Sequence, residues 1–122
     1  MEMQTIKTRM DELVDIIGGY AYLVNDEKFL QGEIADVLGI EGVSYEREVH
    51  LSTGIIDFMV GDIGVEVKVH QESMSVYRQL ERYAKDPRLK GIILASVRTG
   101  VTVPEDISGK PAAVVEIHGG LF

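Results

Sequence analysis

Several residue types are absent or scarce in this chain, and each absence excludes a class of structure. The 122 residues contain no cysteine, no tryptophan and only three prolines. Without cysteine there is no disulfide framework, no thiolate zinc site and no cysteine nucleophile, which fits a reducing cytoplasm. No apolar run approaches the roughly 20 residues that cross a bilayer, and the chain does not open on a basic segment followed by an apolar one. We therefore expect a cytoplasmic protein.

Positive charge is also scarce, and the basic residues are distributed unevenly along the chain. The formal net charge is −8, yet residues 68–98 carry seven basic and three acidic side chains, against five basic and seventeen acidic side chains elsewhere. The overall acidity argues against a general nucleic-acid coat protein. The local excess of positive charge favours contact with phosphate groups at one place.

The length and composition indicate a single domain. A chain of 122 residues, 45% hydrophobic and 26% charged, is large enough for one core but not for two. We therefore predict one domain over residues 1–122.

Two predicted strands, 55–60 and 65–70, meet at a tight turn that begins at Gly61. The first strand is apolar except for Asp57, and the second alternates valines with charged residues, the first of which is Glu66. A carboxylate in an apolar run costs free energy unless something compensates it. A hairpin would place these two carboxylates side by side, where they repel each other unless a cation lies between them.

Magnesium suits this pair of carboxylates, because Mg²⁺ usually takes one or two carboxylates together with waters and substrate phosphate. Lys68 follows Glu66 by two residues, so its side chain is predicted on the same face, next to the metal. There its ammonium could neutralise a phosphate or position an attacking water. The arrangement is typical of a phosphodiesterase.

The remaining patterns predict an α/β fold in which helices flank a mixed central sheet. The order is helix, helix, three-strand meander, helix, strand, strand. The predicted ranges are 6–17, 27–38, 44–51, 55–60, 65–70, 75–85, 91–97 and 113–117.

The first two helices each carry an apolar stripe. In helix 6–17 the stripe runs from Ile6 to Ile17, and we interpret this helix as a packing element or a dimer contact. Asn25-Asp26 is predicted to cap helix 27–38, and Gly39 is predicted to end it. The stripe of this second helix consists of Leu30, Ile34, Val37 and Leu38.

Additional acidic and histidine side chains are candidates for the same site. Glu33 flanks the apolar stripe of the second helix, where a solvated carboxylate and an active-site carboxylate are equally good interpretations. Glu48 competes with it, on a strand whose residues Tyr45, Arg47, Val49 and Leu51 are predicted to share one face. His50 and His70 lack partners at ligand spacing, so a surface or hydrogen-bonded role is favoured for each.

The helix predicted over 75–85 has an inner face of Val76, Leu80, Tyr83 and Ala84. Gln79 and Tyr83 lie one turn apart, as do Arg78 and Arg82, so each pair projects from a shared side. A solvated surface is the plain interpretation of the two arginines. Their position directly after the charged strand favours phosphate contact instead.

These residues together resemble the PD-(D/E)XK nuclease superfamily. Asp57 is followed, after eight residues, by Glu66-Val67-Lys68 on an adjacent predicted strand, behind a helix that carries Glu33. The segment from Gln79 to Tyr83 is similar to the Gln-x-x-x-Tyr motif of the RecB-type and phage-exonuclease branches. The element order over residues 27–97 also matches the restriction-endonuclease-like core.

The resemblance implies a Mg²⁺- or Mn²⁺-dependent nuclease acting on DNA. Asp57, Glu66 and the Val67 carbonyl would hold the metal, and Glu33 would complete the site or hold a water on it. Lys68 would be the catalytic lysine, and Gln79 and Tyr83 would border the active site. We expect Arg78, Arg82, Tyr83 and Lys85 to contact nucleic acid.

Two features of the sequence depart from the family pattern. Ile56 stands where the family often has proline, directly before Asp57. No separate DNA-binding domain is evident, so recognition would need a homodimer, a partner subunit or non-specific backbone contact. Small resolvase-like members of the superfamily work as dimers.

Two alternatives stay open at this point. In the first, the domain keeps the nuclease fold for DNA binding or assembly without catalysis, and Lys68 pairs with Asp57 or Glu66. In the second, the Glu-Val-Lys sequence is merely the exposed face of an edge strand in an ordinary α/β domain.

Overall fold

The computed structural model describes residues 2–70 and 73–119 and contains three helices and eight strands. The helices are α1 (Glu2–Gly18), α2 (Glu27–Ile40) and α3 (Ser73–Ala84). The strands are β1 (Ala21–Tyr22), β2 (Glu46–Leu51), β3 (Gly54–Val60), β4 (Ile63–Lys68), β5 (Gly91–Ser96), β6 (Asp106–Ile107), β7 (Lys110–Glu116) and β8 (His118–Gly119). None of the described helices is long and apolar enough to cross a membrane.

Six of the strands form one mixed sheet in the order β2-β3-β4-β5-β7-β6. The first three are joined by antiparallel pairing in chain order, which confirms the predicted meander. Its second turn is a two-residue loop beginning at Gly61, which has φ 61°. Strands β4, β5 and β7 run parallel, so their carboxyl ends lie at one edge of the sheet. The sequence missed the three short strands, of which β1 and β8 pair apart from this sheet.

The helices α1 and α2 cover one face of the sheet, and α3 covers the other. The apolar stripe of α1 is buried, with Ile6, Met10, Leu13 and Ile17 each at most 4% exposed. These side chains share a core with sheet residues such as Phe58 and Val65. The prediction of a packing helix is therefore confirmed, and any dimer contact through α1 would have to use its other side chains.

The start and the apolar stripe of α2 follow the prediction. The Asp26 carboxylate accepts a hydrogen bond from the Phe29 N–H at 2.8 Å, which caps the helix. Leu30, Ile34 and Leu38 are fully buried.

The predicted end of α2 at Gly39 is wrong, because the helix continues to Ile40. Gly42, rather than Gly39, adopts the left-handed conformation that commonly follows a helix, with φ 73°. A glycine inside a helix costs about 1 kcal/mol relative to alanine. Burial of Val37 and Leu38 around it outweighs that cost.

On the opposite face, α3 buries the side chains predicted for its inner face. Val76, Leu80, Tyr83 and Ala84 are each no more than 7% exposed, and they pack against Ile92 and Leu94 of the sheet. The helix begins at Ser73 and ends at Ala84, close to the predicted 75–85.

A buried carboxylate fixes the chain after α3. Asp86 is 2% exposed and accepts hydrogen bonds from the Ser52 N–H at 2.7 Å, the Ser52 hydroxyl at 2.9 Å and the Arg88 N–H at 2.8 Å. These hydrogen bonds hold the pKa of Asp86 well below its usual range. The Lys110 ammonium donates to the Asp86 carbonyl at 2.7 Å. One residue thus connects the β2–β3 turn, the end of α3 and β7.

In the hairpin of β2 and β3, the alternation of side chains between the two faces of the sheet is interrupted part-way along the strands. We call this interruption the face exchange. Residues two apart in a strand normally share a face. Phe58, however, lies in the core beneath α1 and α2, whereas Ile56 lies in the core beneath α3. In β2, Arg47 lies over the Phe58 ring at 5.6 Å, whereas Val49 packs with the α3 core. The prediction that Tyr45, Arg47, Val49 and Leu51 share one face is therefore wrong.

The exchange takes place at Glu48 and Asp57, which oppose each other between the Arg47–Phe58 and Val49–Ile56 pairs. Glu48 has φ 51°, a left-handed conformation that few residues other than glycine adopt. At the point of exchange a side chain leaves the regular alternation between the two faces. The Asp57 carboxylate accordingly turns toward β4.

Candidate active site

The strands β3 and β4 separate at the two carboxylates that the sequence singles out. Their regular pairing ends at Phe58 and Val65. Beyond that pair, the Asp57 N–H donates to Glu66 Oε1 at 3.2 Å, and the Val67 N–H donates to Asp57 Oδ2 at 2.7 Å. Each carboxylate therefore takes the place of a main-chain acceptor, and the predicted adjacency of Asp57 and Glu66 is confirmed.

Burial makes this pair electrostatically unusual. Glu66 is 2% exposed, and its burial together with the Asp57 charge raises its pKa to about 8, although Lys68 acts in the opposite direction. Burial also raises the pKa of Asp57, while its hydrogen bond from Val67 and the Lys68 charge lower it. Both carboxylates are therefore harder to ionise than exposed ones, and a bound cation would oppose this effect.

Lys68 lies beside Glu66 on the same face of β4, as predicted. Its Nζ is 3.3 Å from Glu66 Oε2 and 3.8 Å from Glu27 Oε1, and its side chain is 13% exposed. Glu27 was missed in the sequence. The feature that could have indicated Glu27 is its position in the first turn of α2, four residues before the buried Gln31 and therefore on the same side of the helix.

Glu33 is held at a different place. Its two carboxylate oxygens accept hydrogen bonds from the Leu23 N–H at 2.8 Å and the Val24 N–H at 3.3 Å. Val24 has φ 49°, so these hydrogen bonds hold a strained segment before α2. Among the described residues, Glu27 rather than Glu33 is the α2 carboxylate within ion-pair distance of Lys68. An active-site role for Glu33 stays a prediction.

The predicted pair on α3 reaches the carboxylates from the opposite side. The Tyr83 hydroxyl donates to the Ile55 carbonyl at 2.7 Å, accepts from Gln79 Nε2 at 2.8 Å and lies 3.4 Å from Glu66 Oε2. Burial, followed by the Glu66 charge, raises the pKa of Tyr83, so the hydroxyl stays protonated. The ring packs against Gly54, where an added Cβ would lie 3.0 Å from Tyr83 Cε1.

Tyr83 differs in exposure from the other side chains predicted to contact nucleic acid. Tyr83 is 3% exposed, whereas Arg78 and Arg82 on α3 and Lys85 directly after it are exposed. Any contact between Tyr83 and DNA would therefore act through the groups around its hydroxyl. The three cations lie on the exposed side of this part of the chain, away from the buried face of α3.

The remaining candidates lie at the edge of the cluster. Glu48 forms an exposed ion pair with Lys28 at 2.7 Å, which lowers its pKa, and its charge raises the pKa of Asp57. His50 accepts a hydrogen bond at its main-chain carbonyl from Arg88, and the His70 side chain is exposed. Both histidines are placed as the sequence favoured.

The oxygen atoms at the strand split fit a hard divalent cation. Because the N–H and C=O of a strand residue point to the same side, the Val67 carbonyl faces β3 together with the Val67 N–H. Within residues 2–70 and 73–119 no group of three or more acidic or histidine side chains is placed to hold a metal. Asp57, Glu66 and the Val67 carbonyl could hold such an ion, and one or two carboxylates are the usual number for Mg²⁺.

Comparison of the chain with protein-family models, with curated proteins and with solved structures gave no match. The resemblance to the PD-(D/E)XK nucleases therefore rests on the motif residues and the element order.

Proposed function

We propose that this protein is a metal-dependent nuclease that hydrolyses DNA phosphodiester bonds on a restriction-endonuclease-like fold. The observation that carries the proposal is the convergence of Asp57, Glu66 and Lys68 where β3 separates from β4. A buried and a half-buried carboxylate, both with raised pKa values, and one ammonium match the charge pattern expected around a cation and a phosphate.

The element order supports the fold assignment. A helix, an antiparallel meander, a second helix and a parallel strand follow one another from α2 to β5. The Gln79–Tyr83 contact on α3 supports the RecB-type branch, because this pair reaches Glu66 and the Ile55 carbonyl.

Mg²⁺ or Mn²⁺, when bound, would stabilise charge on the scissile phosphate and acidify the attacking water. Asp57, Glu66 and the Val67 carbonyl would hold the ion. The net reaction adds the elements of water across one P–O bond, with no covalent enzyme intermediate.

Lys68 supplies positive charge in a site otherwise built from anions. With 13% of its side chain exposed, its ammonium can meet a non-bridging phosphate oxygen and orient the attacking water. Glu27, at 3.8 Å, would hold that ammonium in position. Tyr83, whose hydroxyl oxygen lies 3.4 Å from Glu66 Oε2, would border the metal site.

The substrate would approach over α3. Arg78, Arg82 and Lys85 would contact backbone phosphates, which fits binding with little sequence preference. A homodimer or a partner subunit would extend this surface in the cytoplasm.

The alternative is a non-catalytic nuclease-fold domain that binds DNA or assembles with a partner. The contact between Lys68 Nζ and Glu66 Oε2 at 3.3 Å favours this second candidate, since it gives the lysine side chain a partner without a metal or a phosphate.

Cleavage separates the two candidates. Labelled linear, single-stranded, circular and branched DNA would be incubated with Mg²⁺, Mn²⁺ or EDTA. We expect metal-dependent cutting by the wild type, its loss in Lys68→Ala and Asp57→Ala, and no change in Lys7→Ala, a control on the exposed side of α1. Cutting that survives Asp57→Ala would contradict the metal site. Binding without cutting of any DNA would favour the alternative.

A further inference from the structure

We infer that a cavity next to Lys68 binds a second phosphate group of the DNA backbone, adjacent to the one that is cleaved. This inference rests on the proposed function. The cavity lies at the carboxyl ends of β4 and β5, between the first turns of α3 and the segment 97–103. Its wall includes Lys68, Ser96, Arg98 and Thr102.

The charge of the wall points to an anion. Among the described residues, the charged side chains that line the cavity are Lys68 and Arg98, both cationic. Hydroxyl groups of Thr102 and Tyr77 add hydrogen-bond donors, whereas the Ser96 hydroxyl donates to the Arg98 carbonyl at 3.3 Å. The start of α3 contributes Val76 and Tyr77, so the positive end of the helix dipole also lies beside the cavity.

The size of the cavity limits what can enter. Its volume of about 30 Å³ exceeds the ~10–15 Å³ that a single water needs. It can accept one or two phosphate oxygens, whereas a nucleobase is far too large. The opening to solvent lets the rest of the nucleotide stay outside.

The position of the cavity links it to the cleavage site. Ser96 pairs with Lys68 across the parallel strands β4 and β5, and neighbouring strands lie about 4.8 Å apart. The Ser96 hydroxyl accepts a hydrogen bond from the Arg98 N–H at 3.2 Å, which sets the start of the 97–103 segment. A backbone that crosses Lys68 at one phosphate can therefore place the next phosphate at Arg98.

Direct binding of inorganic phosphate is the first test, and it needs no nuclease activity. In ¹H–¹⁵N spectra of the metal-free protein, phosphate should shift the amide signals of Ser96, Arg98 and Thr102 saturably. Arg98→Gln should weaken this binding about tenfold, because a hydrogen bond to a charged group is lost. Thr102→Val changes a second exposed residue and keeps the shape of its side chain, and it should weaken phosphate binding less than Arg98→Gln does. Equal effects of Arg98→Gln and the control Lys7→Gln would overturn the inference.

Cleavage of a modified substrate is the second test. A single neutral methylphosphonate would replace the phosphate on either side of a mapped cleavage position. We expect one of the two replacements to lower wild-type kcat/KM about tenfold, and to leave kcat/KM of Arg98→Gln almost unchanged. The same loss in both proteins would overturn the subsite. Phosphate binding at Arg98 in a protein that cuts no DNA would instead remove the proposed function and leave an anion site.

Discussion

Glu66 should make the metal-free protein less stable as the pH rises. A buried acid whose pKa is raised in the folded state is protonated more readily there than in the unfolded chain. Its destabilising effect is therefore absent below its usual pKa of 4.5, grows from there to about 8, and is complete above about 8. The difference between these two pKa values corresponds to about 5 kcal/mol, at about 1.36 kcal/mol per pH unit.

Glu66→Gln should remove most of this dependence. The glutamine oxygen can still accept the Asp57 N–H, but its amide group faces the Lys68 ammonium, so part of the gain is lost. We expect the variant to be about 2–4 kcal/mol more stable than wild type at pH 9 and similar to it at pH 5.

Urea unfolding in EDTA at pH 5, 7 and 9 measures this difference. Glu105→Gln, an exposed acid elsewhere in the chain, serves as the control for general charge effects. If the free energy of unfolding depends on pH in the same way for wild type and Glu66→Gln, burial of the Glu66 carboxylate is not the cause of that dependence.

Three further outcomes follow from the contacts. Asp86→Ala should lower the free energy of unfolding by about 2–4 kcal/mol. Because the pKa of Asp86 is depressed, the stability that this carboxylate gives the wild type should be lost as the pH falls below about 4, and unfolding measured along an acid titration checks both effects. Gly54→Ala should destabilise by about 1–3 kcal/mol, because φ is 151° and a Cβ meets the Tyr83 ring at 3.0 Å; unchanged near-ultraviolet circular dichroism would count against this. Glu33→Ala should lower the free energy of unfolding by about 1–3 kcal/mol without changing the cleavage rate per folded molecule, whereas Glu27→Ala should lower that rate. The reverse result would support the prediction from the sequence that Glu33 is the active-site carboxylate of α2.

Local patterns predicted the sheet and the central pair of carboxylates well. The strict alternation after Gly61 and the apolar run before it define the hairpin, and the hairpin register places Asp57 opposite Glu66. The predicted face of α3 is correct for the same reason, since its apolar spacing leaves little choice about which side is buried.

The errors arise where long-range contacts decide a local choice. Gly39 looks like a helix end, but packing of its neighbours extends α2 past it. Glu27 was missed for the same reason, because the spacing of residues on α2 does not reveal that its carboxylate lies 3.8 Å from Lys68 Nζ. The left-handed conformation of Glu48 has no signal in a strand that alternates regularly.

The face exchange at Glu48 and Asp57 has a consequence for transplanting this site into another protein. In an ordinary hairpin, a residue at the position of Asp57 would point into one of the two cores, and its carboxylate could not reach the next strand. Copying Asp57, Glu66 and Lys68 alone onto a regular sheet would therefore reproduce the side chains without their arrangement. The edge strand β2, with Glu48 in its left-handed conformation, must be transferred as well if the site is to keep its arrangement.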